Sequence, residues 1–195
     1  MNQTPKATGW IEVICGSMFS GKTEELIRRM RRAEIAKQNI VLFKPRIDDR
    51  YATDFVISHD KRVIEAVSVD DAHQIQMLAK IYDVIGIDEI QFFGPEIVQV
   101  CEELASSGKR VIVSGLDQDF LGNPFDPMPA LLCVGEYITK ELAICVVCGN
   151  PADRTQRIVD EQARVVIGGN DFYEARCRKC FKPGILSAED VETDY

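Results

Sequence analysis

An α/β architecture is the first expectation for this chain of 195 residues: a mostly parallel central sheet flanked by helices, followed by a small cysteine-rich subdomain. Between Trp10 and Leu116, apolar runs of strand length alternate with segments of helical periodicity. Such alternation pairs strands in parallel and lays helices over the sheet. The runs Ile81–Ile87 and Val111–Leu116 are almost continuously apolar, as strands buried on both faces are. Beyond residue 143, four of the seven cysteines fall into two close pairs, which sets that stretch apart.

The elements follow in order. Trp10–Cys15 is a short strand, succeeded by a glycine-bearing loop and a helix over Glu24–Lys37. On that helix Leu26, Met30 and Ala33 repeat at i, i+4 and i+7 with Ile27 beside them, so this stripe is buried. Arg28, Arg29, Arg31 and Arg32 then form a solvated face among Glu24, Glu25 and Glu34. Ile40–Phe43 is the next strand, ended by Pro45, and residues 44–60 read as a long mobile loop. Val63–Val67 is a short strand. Asp70 caps a helix whose Ile75, Leu78 and Ala79 share a face. Pro95 and Gly108 bracket a helix that buries Ile97, Val100, Cys101 and Leu104. Farther on, Thr155–Val159 and Arg164–Ile167 are expected to form a hairpin ahead of a turn at Gly168–Asp171. The expected organisation is a flexible tail over 1–9, a phosphate-binding α/β domain over 10–143, a metal-binding subdomain over 144–186 and a flexible tail over 187–195.

Composition narrows the function classes. Apolar residues make up 46% and charged residues 28%, enough to build a core and too balanced for disorder. Met1–Gly9 is polar and no apolar run approaches the roughly 20 residues of a membrane helix, which points to a cytoplasmic protein with no membrane partner. Lys and Arg total 23 against 31 Asp and Glu, a net charge of −8. An acidic chain without an extended basic stripe is a poor nucleic-acid binder.

The strongest motif is Gly16-Ser17-Met18-Phe19-Ser20-Gly21-Lys22-Thr23, which satisfies G-x-x-x-x-G-K-[ST] between a strand and a helix. Its glycines let successive N–H groups face phosphate oxygens. Lys22 adds a point charge, and the Thr23 hydroxyl is suited to Mg²⁺. Val84–Ile87 ends in Asp88-Glu89, an acidic pair at the tip of a buried strand. Asp88 suits the Mg²⁺ and leaves Glu89 to accept a proton from an attacking hydroxyl or water. These residues imply a P-loop NTPase core using ATP or GTP, with the acceptor open.

Cys145-Val146-Val147-Cys148 and Cys177-Arg178-Lys179-Cys180 give C-x2-C-x28-C-x2-C. Four thiolates close a tetrahedral zinc shell without an open position, so the metal is structural. A redox switch is the competing explanation. Cys15, Cys101 and Cys133 stand singly in apolar runs and read as small hydrophobes. A metal-tied loop beside a P-loop can cover a small acceptor and exclude water. Phe92, Phe93, Phe120, Phe125 and Tyr173 offer apolar walls for a flat base. Three other readings remain open on these residues: another small P-loop kinase with a zinc-bearing lid, an NTP-driven nucleic-acid protein with a zinc ribbon, and a non-catalytic nucleotide sensor.

Taken in order, Gly16–Thr23, Lys44-Pro45 with Asp48-Asp49-Arg50-Tyr51, Ser58-His59-Asp60, Asp88-Glu89-Ile90-Gln91-Phe92-Phe93, Leu116-Asp117 with Phe120, and Cys145–Cys180 resemble the type II, zinc-containing thymidine kinases. The resemblance runs from Trp10 to Phe181. It implies transfer of the ATP γ-phosphate to the 5′-hydroxyl of thymidine, with Glu89 as base, Arg50 stabilising charge in transfer and Thr23 and Asp88 on Mg²⁺. It places ATP against Gly16–Thr23 and against Asp88, Glu89, Ile90 and Gln91. It places thymidine among Met18, Asp48, Phe92, Leu116, Phe120, Phe125, Thr155, Val166, Ile167, Gly168, Gly169 and Tyr173, largely through main-chain groups of the zinc-tied "lasso". It also implies a homotetramer and feedback inhibition by dTTP. Ser17 stands where that family commonly has Pro, a position expected to act through its backbone.

Overall fold

The computed structural model describes residues 8–47, 55–57, 63–159 and 171–184. Strands β1 (Trp10–Gly16), β2 (Ile40–Pro45), β5 (Val67–Val69), β6 (Val84–Ile87), β7 (Arg110–Leu116) and β8 (Tyr137–Glu141) form one sheet in the order β5-β2-β6-β7-β1-β8. Every pairing in it is parallel. Strands β3 (Phe55–Ile57) and β4 (Val63–Glu65) make a separate antiparallel pair, so a strand lies inside the stretch expected to be loop. Two consecutive expectations shift by a residue or more. The cap of α2 (Ala72–Leu78) is Asp71, which accepts from the Gln74 N–H, while Asp70 pairs with Arg46. Ile81 belongs to a 3₁₀ turn, Ala79–Ile81, and is exposed, leaving β6 to start at Val84.

Period-two alternation places the core. Val13, Phe43, Ile85, Ile87, Val111 and Val113 face α2, α3 (Glu96–Ser106) and α4 (Met128–Val134). Ile14, Leu42, Val84 and Ile112 point the other way, onto Leu26, Ile27, Met30 and Ala33 of α1 (Lys22–Ile35). Helix α1 lies close to the sheet because position 86 is glycine: a Cβ there would stand 2.8 Å from Leu42 and 2.9 Å from Met30. The arginine face of α1 is not wholly solvated. Arg29 donates to Glu12 at 2.8 Å and to Glu25 at 2.8 Å, and Arg110 donates to the same Glu12. Burial of the Glu12 carboxyl is outweighed by these donors and by Trp10, which hold its pKa below the ordinary value.

Strands β9 (Ala143–Ile144) and β10 (Pro151–Ala152) pair antiparallel, as do β11 (Arg154–Arg157) and β12 (Tyr173–Arg176). The partner of β11 is therefore 173–176, whereas 164–167 lies outside the described residues. Ala143, Cys145, Ala152, Ala175 and Cys177 make a small core of their own beside the main sheet. Cys133 is exposed and not a core hydrophobe. Among the described residues, no helix is long and apolar enough to cross a membrane.

Candidate active site

The phosphate loop occupies the carboxyl end of β1, where it turns into α1. Gly16 has φ +146°, and a Cβ on it would meet the Glu141 carbonyl at 2.3 Å. Gly21 caps α1 at φ +90°. Both glycines are thus required by the path of the chain. The loop is closed on itself: the Ser20 hydroxyl donates to the Ser17 carbonyl at 2.8 Å, and Lys22 Nζ donates to the same oxygen at 2.7 Å. The N-terminus of α1 presents its amide donors here, a setting that favours anionic oxygen.

Strand β7 lies between β1 and β6, and it orders the acidic pair. Asp88 is 5% exposed; its Oδ2 accepts from the Thr23 hydroxyl at 3.2 Å and its Oδ1 accepts from the Ser114 hydroxyl. Burial, and then the Glu89 charge beside it, push the Asp88 carboxyl up to about 6. A divalent cation would relieve both effects, and the Thr23 hydroxyl and Asp88 carboxylate already face one another. This donor pair fits Mg²⁺. Glu89 adopts φ 49°, ψ 44°, an uncommon conformation for a residue with a side chain. It turns the carboxylate off the line of β6, where Gln91 Nε2 donates to it at 2.5 Å.

Four sulfurs, those of Cys145, Cys148, Cys177 and Cys180, lie within 4.8 Å of one another. Cys148 and Cys177 are 3.6 Å apart, far beyond a disulfide bond. Sulfurs about 2.3 Å from a tetrahedral zinc would be about 3.8 Å from each other, so the cluster fits that ion. Its electrostatics ask for a cation too. The Asn150 backbone N–H and then its side-chain amide pull the Cys148 thiol down to about 6. Hydrogen bonding to Cys148 and then burial push Cys180 up to about 12. The four cannot all ionise without a positive charge among them.

The cysteine layer and the phosphate loop touch at three successive residues. The Ser17 hydroxyl donates to the Ala152 carbonyl at 3.4 Å, so this side chain does more than supply backbone. The Met18 N–H donates to Thr155 Oγ1 at 3.0 Å. Phe19, at φ 64°, packs on the small core around Cys145 and Cys177.

Among residues expected to line an acceptor pocket, Met18, Phe92, Leu116, Phe120 and Phe125 are half-buried, and Thr155 and Tyr173 are buried. Phe93 sits in the main core instead of a pocket wall. Phe120 and Tyr173 are brought together by Arg157, which sequence reasoning missed. Arg157 is fully buried, with its guanidinium 3.6 Å over the Phe120 ring and donating to the Tyr173 hydroxyl at 2.9 Å. The only sequence signal was its spacing, two residues after Thr155 in the same strand. Asp48, Arg50, Val166, Ile167, Gly168 and Gly169 lie outside the described residues, as do the tails 1–7 and 185–195.

A family model described as thymidine kinase matches residues 9–181. The thymidine kinase of a Rhodothermus species is 59% identical over 177 residues, covering 91% of this chain and 83% of its own. That of Bdellovibrio bacteriovorus is 54% identical over 178 residues, covering 91% of this chain and 87% of its own. Among solved structures, AMPPCP-bound DnaA from Aquifex aeolicus aligns with 70% of this chain and 41% of its own, at 14% identity and a TM-score of 0.43, too loosely to bear on function. The chain belongs to the thymidine kinase family, and its four-cysteine cluster fits the zinc-containing type.

Proposed function

We propose that this protein transfers the γ-phosphate of ATP to the 5′-hydroxyl of thymidine, giving thymidine monophosphate and ADP. The observation that carries the reading is the pair Asp88 and Glu89 at the tip of β6, facing a complete phosphate loop and held in two different environments. Glu89 takes the proton of the 5′-hydroxyl as its oxygen bonds to the γ-phosphorus; the bond to the β,γ-bridging oxygen breaks, and ADP carries away that electron pair. Amides of Gly16–Thr23 and the Lys22 ammonium hold the phosphates, while Ile90 packs in the main core and the Gln91 amide is turned to Glu89 and Leu116. Arg50 stabilises the charge in flight. Thr23 and Asp88 would hold Mg²⁺, which neutralises phosphate charge when bound.

Thymidine sits among Met18, Asp48, Phe92, Leu116, Phe120, Phe125, Thr155 and Tyr173, under main-chain groups of Val166–Gly169. Cys145, Cys148, Cys177 and Cys180 would hold a structural zinc, which ties the cover at its base. A phosphate-binding body over 10–143 and a metal-tied cover over 144–186 belong to the same proposal. So do cytoplasmic pyrimidine deoxynucleotide salvage, a homotetramer and feedback by dTTP in the acceptor pocket.

The test is ATP-dependent phosphorylation of thymidine beside deoxycytidine, deoxyadenosine, deoxyguanosine and AMP, with Glu89→Gln as control. Product is expected from thymidine and not from the purine acceptors. Glu89→Gln should lower kcat by about 10²–10⁴, the scale of general-base catalysis, with ATP affinity retained. Turnover of AMP, or ATP hydrolysis stimulated by single-stranded DNA without any phosphorylated acceptor, would overturn the proposal.

A further inference from the structure

We infer that Gln91 acts on Glu89 and not on the nucleotide: it is the positioning residue that fixes the carboxylate for proton transfer, anchored through the end of β7. This rests on the reading of Glu89 as the base.

The amide of Gln91 is used at both ends inside the protein. Its Oε1 accepts from the Leu116 N–H at 3.0 Å, and its Nε2 donates to Glu89 Oε2 at 2.5 Å. The orientation of the amide follows from its neighbours. A backbone N–H can only donate, so the carbonyl oxygen must face Leu116, and the NH₂ group is then left for the carboxylate. Gln91 is 5% exposed and follows Glu89 by two residues in a 3₁₀ turn, Ile90–Phe92. A side chain this buried, with a partner at each end of its amide, is a strut between β7 and Glu89.

The strut needs room, and glycine provides it. A Cβ at position 115 would stand 2.5 Å from Gln91 Oε1 and 2.8 Å from Ile90 Cγ2. Strand β7 therefore organises both carboxylates with three consecutive residues. Ser114 donates to Asp88, Gly115 leaves space, and Leu116 holds the amide that holds Glu89. Glu89 has an uncommon backbone, and the Gln91 donor fixes where its side chain ends. A charge-assisted bond of this kind also favours the carboxylate over a swung-away rotamer.

Gln91→Glu is the discriminating variant. It keeps length, volume and the bond from the Leu116 N–H, and it replaces only the donor facing Glu89 with a repelling oxygen. Since misplacing a catalytic group by about 1 Å can cost about 10²-fold, kcat should fall about 10–100-fold, with the KM values for ATP and thymidine within about twofold of the parent. In a Glu89→Gln background the same change should lower kcat by no more than about twofold, because there is no base left to misplace. Gly115→Ala, which displaces the amide without removing it, should reproduce the kcat-selective loss if Gln91→Glu does not fold. Unchanged kcat in both variants would overturn the inference, and so would a raised KM for ATP with kcat intact, which would put Gln91 on the nucleotide. Undiminished turnover in Glu89→Gln alone would instead bring down the base assignment, a result separable from either.

Discussion

The phosphate side and the acceptor side of this site are built in opposite ways. Gly16–Thr23 is one contiguous stretch, closed by its own Ser20 and Lys22 on the Ser17 carbonyl and seated by two glycines. The proposed acceptor side draws on Phe92, Leu116, Phe120, Phe125, Thr155 and Tyr173, which come from four separate segments. In that proposal its cohesion comes from one buried guanidinium, which bridges Phe120 and Tyr173, and a four-cysteine cluster. The phosphate loop should therefore keep its shape when distant parts are disturbed, whereas the acceptor side depends on each of its cross-links.

Substitutions can separate the two. Lys22→Ala strikes the phosphate side and should have the largest effect. Turnover should drop by about 10²–10³, the loss expected for removing an electrostatic group from a transferring phosphate, while thymidine binding measured by calorimetry is retained. Arg157→Met strikes the acceptor side: it removes the stack on Phe120 and the bond to Tyr173 but keeps bulk. Losing a buried cation–π contact of about 2 kcal/mol should raise the thymidine KM about tenfold or more, with little change in the KM for ATP. A parallel rise in both constants would erase the distinction. Thr155→Val sits on the seam, where Met18 donates to it. Leaving that N–H without its acceptor should cost about 1–3 kcal/mol, seen as a lower melting temperature with both KM values rising together by a smaller factor.

The same contrast decides what could be read from the residues. The P-loop and the Asp88-Glu89 pair are local patterns, and so are the near-continuous apolar runs that mark β6 and β7 as buried strands, although which residue faces which helix layer came only with the fold. The cysteine spacing was legible for the same reason. Arg157 was not, because its partners are 37 and 16 residues away and an arginine in a strand reads as surface unless the fold is known. Ser114 and the left-handed backbone of Glu89 were likewise invisible, and Gln91 was expected beside ATP and not on Glu89: each acquires its role only when β7 lies against β6. Two elements went unread for a different reason. Helix α4 is a seven-residue apolar stretch with a proline near its start, and β8 is an edge strand of mixed polarity, so neither carries a period long enough to register.

Calorimetric titration of the zinc-loaded and zinc-stripped protein, once with thymidine and once with a non-hydrolysable ATP analogue, tests the contrast most directly. If the metal holds the acceptor side together and the phosphate loop stands on β1 and α1, stripping should weaken thymidine binding by about tenfold or more, about 1.4 kcal/mol, and leave nucleotide affinity within about threefold. Equal loss of both ligands, or unaltered thymidine binding by protein shown to be free of zinc, would contradict it.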